Sequence, residues 1–354
     1  PGRGRLLVGG ALIVILTLVG GFVAWARSDG PGSGRRVEIE LEQPVDPSAL
    51  ALRLAEAGLV TSPRLFAGYL RFLSPAVAPG RHLLRDDLGP RALAQRLTRS
   101  PARPTVRVTL PEGFQHRQIA LRLAELEICS AAGFERAVFD AGLLQELRIS
   151  GPSAEGRLFP ATYELSVDSD PAAVVRQLAR ESDKRLLRLD AKYPGARRRL
   201  ADELGFDDQA IVTLASIVER ESADPAERPV IASVFFNRLR DPSFRPLRTL
   251  QSDPTAGYGC LVEPASAPSC ADYRGTVTPA MLRDSKNRYN TYRHPGLPPG
   301  PIANPGEGAL AAVLSPAASD YLYFVADGRG RHRFSRSFEE HRQAVDALSG
   351  SSAR

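Results

Sequence analysis

The segment LASIVERES, residues 214–222, contains two glutamates, Glu219 and Glu221, near the end of a predicted helix. The helix begins at Asp207 and Asp208, and its apolar residues recur with the helical period. On a wheel of about 100° per residue, Glu221 lies roughly 35° from the centre of the apolar direction, whereas Glu219 lies about 125° from it. The pattern predicts that only Glu221 shares the buried side of the helix.

A carboxyl group on an apolar helix face loses water, which favours its neutral form and raises its pKa. A raised pKa lets a carboxylic acid donate a proton near neutral pH, so Glu221 is the candidate general acid. The alternative is that the helix ends near residue 220 and that Glu221 is a solvated residue of its last turn. Helix geometry alone leaves both open.

The N-terminal region contains an uncharged run, LLVGGALIVILTLVGGFVAWA, from Leu6 to Ala26. At 1.5 Å per residue the run is long enough to cross a hydrocarbon core of ~30 Å, which predicts a transmembrane anchor. A cleaved signal peptide is the alternative, because Ala24 and Ala26 form an A-x-A-like site. With a short cytoplasmic tail of residues 1–5, the rest of the chain would be exported.

The composition excludes several classes of protein. The chain has 354 residues and a formal net charge of +6, which comes almost wholly from scattered arginines. No aromatic and basic signature accompanies them, so we expect no nucleic-acid partner. The histidines are dispersed and no Cys and His spacing suggests zinc, so we predict no metal and no cofactor.

The cysteines agree with export. Cys260 and Cys270 bracket a loop rich in Pro and Ser, and they are candidates for a disulfide formed in an oxidising compartment. Cys129 lies in a helical pattern and is predicted to be a small buried apolar residue.

The element patterns predict an α+β protein with two folded parts. A flexible spacer at residues 27–36 is followed by a small β-α-α-β unit at 37–103. Residues 104–350 form a larger mixed α+β domain that ends in a β-hairpin and a helix. Within it, residues 151–170 and 248–259 are predicted loops.

Five segments then occur in a recognisable order. LASIVERES, ASVFFNRL, LQSDPTAGYG, YNTYRHPGLPPGPIANPG and YLYFVADGRGRHRFSRSFEEH together resemble the MltG (YceG-like) endolytic murein transglycosylases over residues 37–348. EGRLFPATYEL is similar to that family's EGxLFPDTY, with Ala161 where Asp is usual. Two features depart from the family: the insertion between Cys260 and Cys270, and APGRHLL in place of AGxYxL.

The resemblance implies a single-pass enzyme of the cell inner (cytoplasmic) membrane, anchored through Leu6 to Ala26, with a periplasmic or extracytoplasmic catalytic domain at 104–350. It implies cleavage of the MurNAc–GlcNAc bond of nascent peptidoglycan glycan strands, without hydrolysis, to 1,6-anhydroMurNAc ends. The family's catalytic glutamate precedes Thr or Ser, which falls on Glu221. Residues 37–103 resemble the family's LysM-like subdomain, and peptidoglycan synthases are candidate partners.

A lytic transglycosylase needs one carboxyl group, whereas a glycoside hydrolase needs two, separated by about 5–5.5 Å or roughly 6.5–9.5 Å. No second carboxylate is evident, since Glu219 faces elsewhere and Asp253 precedes a proline. We therefore expect Glu221 to act first as acid and then as base. Amide, hydroxyl and aromatic groups suit a sugar polymer, which makes the following residues candidates for substrate positioning: Gln251, Asp253, Tyr289, Asn290 and Tyr292. The alternatives are a muramidase-type hydrolase and a non-catalytic glycan-binding protein of cell-envelope assembly.

Overall fold

The protein is described from a computed structural model. The chain divides into two compact units, Pro1–Pro104 and Thr105–Arg354. The predicted α+β class is confirmed, because the units combine helices with two-stranded antiparallel sheets. The residues that the structure describes are 17, 19–41, 45–73, 77–99 and 105–351.

The first unit has the predicted β-α-α-β order. Strand β1 (Arg36–Leu41) pairs antiparallel with β2 (Gly80–Arg85). Three helices of this unit begin with a proline, where the missing N–H breaks no helical hydrogen bond. The helices are α1 (Pro47–Glu56) and α2 (Pro63–Leu73), which lie between the strands in sequence, and α3 (Pro90–Leu97), which follows β2.

The glycine-rich segment that was predicted to be a spacer forms hydrogen bonds with the turn that follows β2. The amide of Gly30 donates to the carbonyl of Asp87 at 2.9 Å, and that of Gly32 donates to the carbonyl of Asp86 at 2.8 Å. A Cβ on Gly32 would lie 1.9 Å from the carboxyl carbon of Asp86. Only glycine permits so close an approach, so this segment belongs to the first unit.

Most of the predicted transmembrane run lies outside the described residues. Residues 19–26 are helical, and Trp25 and Ala26 pack on the core of the first unit. Within the described ranges, no helix combines the length and the apolar character needed to span a bilayer. The anchor therefore stays a prediction.

The second unit opens with a two-stranded sheet covered by three short helices. Strand β3 (Thr105–Thr109) pairs antiparallel with β4 (Thr162–Ser166). The prediction of a loop through residues 151–170 is wrong for β4, where buried Tyr163 and Leu165 alternate with more exposed neighbours. The covering helices are α4 (His116–Glu125), α5 (Ala131–Val138) and α6 (Ala141–Glu146).

The centre of the second unit is a helix without a solvent face. All residues from Ile211 to Val218 are buried, because neighbouring helices cover this helix on several sides. The helical wheel predicted a one-sided apolar stripe, and that prediction is wrong. The helices of this layer are α7 (Pro171–Lys192), α8 (Ala196–Leu204), the central α9 (Asp208–Glu221) and α10 (Arg228–Arg240), with a 3₁₀ turn at Pro225–Glu227.

Helix α11 (Asp253–Val262) occupies most of the predicted loop 248–259, so that prediction is also wrong. Pro254 lies in its first turn, where proline is tolerated. A Cβ on Gly259 would lie 1.9 Å from the side-chain oxygen of Asn287. This glycine therefore allows close packing and does not end the helix.

The C-terminal elements follow the prediction. Asp327 accepts hydrogen bonds from the amides of Arg329 and Arg331 at the hairpin turn, at 2.7 and 3.1 Å. The predicted hairpin and last helix are confirmed. The remaining elements are a 3₁₀ turn at Pro268–Cys270, α12 (Pro279–Arg283), α13 (Glu307–Leu314), β5 (Tyr323–Ala326), β6 (His332–Ser335) and α14 (Phe338–Ser351).

Candidate active site

Glu221 is the last residue of α9 and is half-buried. The hydroxyl of Ser252 donates a hydrogen bond of 2.5 Å to its Oε1. Its Oε2 has no hydrogen-bond partner among the described residues. That oxygen is therefore available to carry a proton and to donate it.

The surroundings of Glu221 favour its protonated form. Burial raises the pKa of the Glu221 carboxyl, and the nearby carboxylate of Asp253 raises it further. The Ser252 hydrogen bond and the positive charges of Arg238 and His332 act in the opposite direction, but burial prevails. Glu221 thus keeps its proton to a higher pH than a solvated glutamate.

Ser252 is held in place by the proline-rich segment 287–306. Its amide donates to the hydroxyl of Thr291 at 3.0 Å, and the amide of Gln251 donates to the carbonyl of Thr291 at 3.2 Å. Gln251 has a φ of 53°, in the left-handed region that only glycine adopts readily. Backbone strain of this kind is often found at functional sites, and here it directly precedes the serine that contacts Glu221.

Asp253 and Tyr292 form a second pair beside Glu221. The Tyr292 hydroxyl donates to Oδ1 of Asp253 at 2.7 Å. Burial and this carboxylate raise the pKa of Tyr292, so its phenol stays neutral and remains a donor. Asp253 directly follows Ser252, which contacts Glu221, and the charge of Glu221 also raises the pKa of Tyr292. Three predicted positioning residues, Gln251, Asp253 and Tyr292, therefore lie in or next to the Glu221 site.

The other two predicted positioning residues, Tyr289 and Asn290, are buried. The Asn290 amide donates to three backbone carbonyls at the end of α12, at 2.9 to 3.0 Å, and its oxygen accepts from the amide of Tyr292 at 3.1 Å. Tyr289 packs on Tyr258, with ring centroids 5.1 Å apart. These contacts hold the segment that presents Tyr292.

Glu219 has a different role from Glu221. Its Oε1 accepts from Arg228 at 2.6 Å and its Oε2 accepts from the amide of Gly306 at 3.0 Å, while only 6% of its side chain is exposed. The expectation that only Glu221 leaves water is therefore wrong. Burial raises the pKa of Glu219 too, but both of its oxygens are engaged in tying α9 to α10 and α13.

Two basic side chains near Glu221 were not predicted from the sequence. Arg238 is buried and donates to the carbonyl of Leu322 at 2.7 Å and to that of Leu250. Its burial lowers its pKa to about 10, so it keeps its charge at neutral pH. His332 shares a hydrogen bond of 2.7 Å with the carboxylate of Glu227. The alternation of β6 puts His332 on the same side as Phe334, which was the available signal.

The cysteine pair lies at the far end of α11. A disulfide joins Cys260 to Cys270. Next to it, the amide of Asn287 donates to the carbonyl of Ala256 at 2.8 Å, and its oxygen accepts from the amide of Tyr289 at 3.1 Å. The insertion between the cysteines is thus connected to the start of the segment that presents Tyr292.

A buried carboxylate in the EGRLFPATYEL segment was also missed. Glu155 is completely buried. Its carboxylate accepts hydrogen bonds from the hydroxyl of Tyr258 at 3.1 Å and from the side-chain amide of Asn304 at 2.5 Å. The backbone amide of His116 donates to both carboxylate oxygens, at 3.0 and 3.1 Å, and a ring nitrogen of His116 lies 2.6 Å from one of them. One carboxylate thus joins α4, α11 and the segment that precedes α13.

The substitution Ser252→Ala tests the electrostatics of Glu221. The serine hydrogen bond lowers the pKa of Glu221, so its loss raises that pKa further. We expect the alkaline limb of kcat/KM to move to higher pH, because the protonated acid persists longer. Ser266→Ala, at an exposed serine of the insertion, should leave the profile unchanged. The measurement is the pH profile of kcat/KM for both variants. An alkaline limb that stays in place or moves to lower pH in Ser252→Ala contradicts the assignment of Glu221 as the acid.

These features define a class of protein: an α+β fold in which a half-buried glutamic acid ends a buried helix beside an Asp and Tyr pair. The model of the YceG-like family matches residues 39–347. The chain belongs to the YceG-like family.

Curated relatives carry a common description. A Bacillus subtilis (strain 168) protein described as an endolytic murein transglycosylase is 27% identical over 325 residues, which is 88% of this chain and 84% of the relative. A Streptococcus pneumoniae serotype 2 (strain D39) protein of the same description is 27% identical over 343 residues, 88% of this chain and 58% of the relative. The crystal structure of a yceG-like protein from Listeria monocytogenes superposes with a TM-score of 0.55 at 26% identity, covering 88% of this chain and all of that one.

Proposed function

We propose that this chain is a membrane-anchored endolytic peptidoglycan transglycosylase with Glu221 as its single acid and base. The observation that carries the proposal is the environment of Glu221: burial raises the pKa of its carboxyl, Ser252 fixes Oε1, and Oε2 has no hydrogen-bond partner among the described residues. The description shared by the two curated relatives supports the substrate and the reaction.

One carboxyl group is enough for this reaction. Glu221 donates its proton to the glycosidic oxygen as the bond from that oxygen to C1 of the MurNAc residue breaks. The carboxylate then accepts the proton of the C6 hydroxyl as this oxygen bonds to C1. The products are a new sugar hydroxyl and a 1,6-anhydro ring, Glu221 is protonated again, and no water is consumed.

The neighbouring groups fit this cycle. Arg238 and His332 are close enough to favour the carboxylate form of Glu221 that exists between the two proton transfers. Asp253 and Tyr292 present an acceptor and a phenol ring beside the acid, which suits the polar rim and the apolar face of a sugar. Gln251 precedes Ser252 in the chain, and its side-chain amide donates to the hydroxyl of Thr249 at 3.3 Å.

The sequence and the cysteines support the proposed location. The uncharged run from Leu6 to Ala26 would anchor the chain in the cytoplasmic membrane, with both units on the outer side. The disulfide between Cys260 and Cys270 is of a kind that persists in oxidising compartments, which supports export. The β-α-α-β order of the first unit supports a LysM-like role in holding glycan, and synthases of the same polymer are candidate partners.

The chemistry of the new glycan ends tests the proposal. Purified protein is incubated with peptidoglycan in H₂¹⁸O, and the released ends are analysed by mass spectrometry. We expect 1,6-anhydroMurNAc ends without ¹⁸O, because no water enters the product. Heat-denatured protein serves as the control for pre-existing ends.

Two other outcomes would overturn the mechanism. Reducing ends that contain ¹⁸O would identify a muramidase-type hydrolase, in which Asp253 would be the first candidate for the second carboxylate. Glycan that is bound but not cut would identify a non-catalytic protein of cell-envelope assembly.

A further inference from the structure

The first unit has an apolar surface that the proposed reaction does not use. Helix α2 exposes Phe72 by 81%, Leu73 by 47% and Leu65 by 50%. Residues 65, 69 and 72 lie on one face of a helix. Tyr69, on the same face, is covered by Trp25 and Phe22, with ring centroids at 6.0 and 5.7 Å.

The helix at residues 19–26 continues this surface. Val19, Phe22 and Val23 are exposed by 54%, 36% and 40%. A groove of about 480 Å³ lies between this helix and helices α2 and α3, and its apolar lining includes Phe22, Val23, Ala26, Tyr69 and Leu73. In the sequence, residues 19–26 are the last part of the uncharged run that begins at Leu6.

The charged side chains that line the two grooves are arginines, of which Arg85 is paired with the carboxylate of Asp87. The charged residues that line this groove are Arg27 and Arg91. A second groove of about 510 Å³, which shares Gln95 of α3 with the first, is lined by four arginines. No carboxylate is among the described residues that line either groove. The arginines of the second groove are Arg36, Arg85, Arg96 and Arg99.

We propose that this surface, defined by helix 19–26, α2 and the two grooves and here called the basal face, lies on an anionic lipid bilayer. The proposal deepens the proposed function, because it rests on the anchor from Leu6 to Ala26. Phe72 and Leu73 enter the boundary between headgroups and acyl chains, while Arg27 and Arg91 contact lipid phosphates. Trp25 and Tyr69 have the amphipathic rings that are enriched at this depth.

The composition of the basal face favours lipid over the other occupants. A glycan site requires several amide and hydroxyl partners around its aromatic groups, whereas the described lining of the first groove offers the Gln95 amide and a Thr98 hydroxyl that already donates to the Gln95 carbonyl at 2.8 Å. A second copy of this chain would bring the same arginines against one another, which costs energy through like-charge repulsion. An anionic bilayer matches both the apolar centre and the positive rim. The first unit is then fixed in orientation at the membrane and does not move freely on a tether.

An environment-sensitive thiol probe tests the proposal on the full chain. Phe72→Cys provides an exposed thiol, because Cys129 is buried and Cys260 is bonded to Cys270. The label, an NBD fluorophore, is compared with one at Leu52→Cys, since Leu52 is 54% exposed on α1 and lines neither groove. Both proteins are reconstituted in vesicles of phosphatidylcholine with and without about a third of phosphatidylglycerol.

We expect a blue-shifted label at position 72 that is quenched by spin-labelled lipid, more strongly in anionic vesicles, and a label at position 52 that stays in water. Arg27→Glu with Arg91→Glu should reduce the quenching at position 72 severalfold. Protein that floats with the vesicles while its position 72 label remains in water overturns this inference and leaves the anchor intact. Protein that does not float overturns the anchor and the inference together, while the glycan-end experiment stands separately. In detergent without vesicles, a label at position 72 that glycan or a second copy of the chain shields from water also overturns the proposed contact with lipid.

Discussion

Replacing Glu221 with glutamine is expected to reduce glycan cleavage by about 10²- to 10⁴-fold, the usual contribution of a general acid. Glutamine has nearly the same shape and can still accept the hydrogen bond from Ser252, which is 2.5 Å long in the native protein. It has no proton to donate to a glycosidic oxygen. The measurement is the initial rate of formation of 1,6-anhydro ends by each protein.

The same substitution should not lower stability. The pKa of Glu221 is raised in the folded protein, so its stabilising neutral form is present below the unfolded pKa and is lost as pH rises through the folded pKa. Glutamine stays neutral at every pH. We therefore expect a melting temperature equal to that of the native protein in acid and higher than it in neutral or alkaline solution. A variant that melts well below the native protein at pH 8 would mean that Glu221 is ionised and paired, contrary to the site described.

Glu219→Gln is the matched control, because it removes the neighbouring carboxylate of the same helix. Both oxygens of Glu219 accept hydrogen bonds, so the glutamine NH₂ group would face either Arg228 or the amide of Gly306, both of which are donors. A buried donor left without its partner costs about 1–3 kcal/mol of folding stability. The folded fraction should still cut glycan. The two glutamates are thus expected to give opposite results, lost activity at Glu221 and lost stability at Glu219. Equal loss of activity at both would remove the special role of Glu221.

The sequence predicted the place of the candidate acid and its neighbours better than the contacts that support them. Glu221 at the end of a helix and Asp253 and Tyr292 beside it come from short segments whose chemistry is visible in the residues themselves. The helical wheel assumed that α9 has a solvent side. Its actual surroundings depend on α10 and on Gly306, and a periodic pattern contains no information on such distant partners.

The missed elements have related physical causes. Strand β4 follows a polar loop and pairs with β3, which ends more than fifty residues earlier, so only the tertiary pairing defines it. Helix α11 contains Pro254, Gly257 and Gly259, which favour a loop when considered alone. Packing reverses that preference, since side chains of the neighbouring segment fill the space next to both glycines. Tyr289 and Asn290 have the residue types of a sugar site, but their burial assigns them to holding the segment together.

Glu155→Gln is expected to have the largest effect on stability. The native carboxylate accepts hydrogen bonds from Tyr258, from Asn304 and from the backbone of His116, and none of these groups can find water, because the site is fully buried. The glutamine NH₂ group would face donors where an acceptor is needed. Each buried donor left without a partner costs about 1–3 kcal/mol, so we expect a loss of roughly 2–5 kcal/mol.

The effect should reach the active site through two connections. The first connection is Tyr258, which belongs to α11, and the first turn of α11 follows Ser252. The second is Asn304: two residues before it, the amide of Ile302 donates to the hydroxyl of Ser216 on α9 at 3.0 Å. Urea unfolding measures the loss of stability. The control is Glu164→Gln, at an exposed glutamate of β4 in the same segment, which should change stability by less than about 0.5 kcal/mol. Because Glu155 does not touch Glu221, the folded variant should cut more slowly with an unchanged pH profile. A pH profile that moves with Glu155→Gln, or a stability equal to that of Glu164→Gln, would show that the buried carboxylate has a different role from the one its contacts indicate.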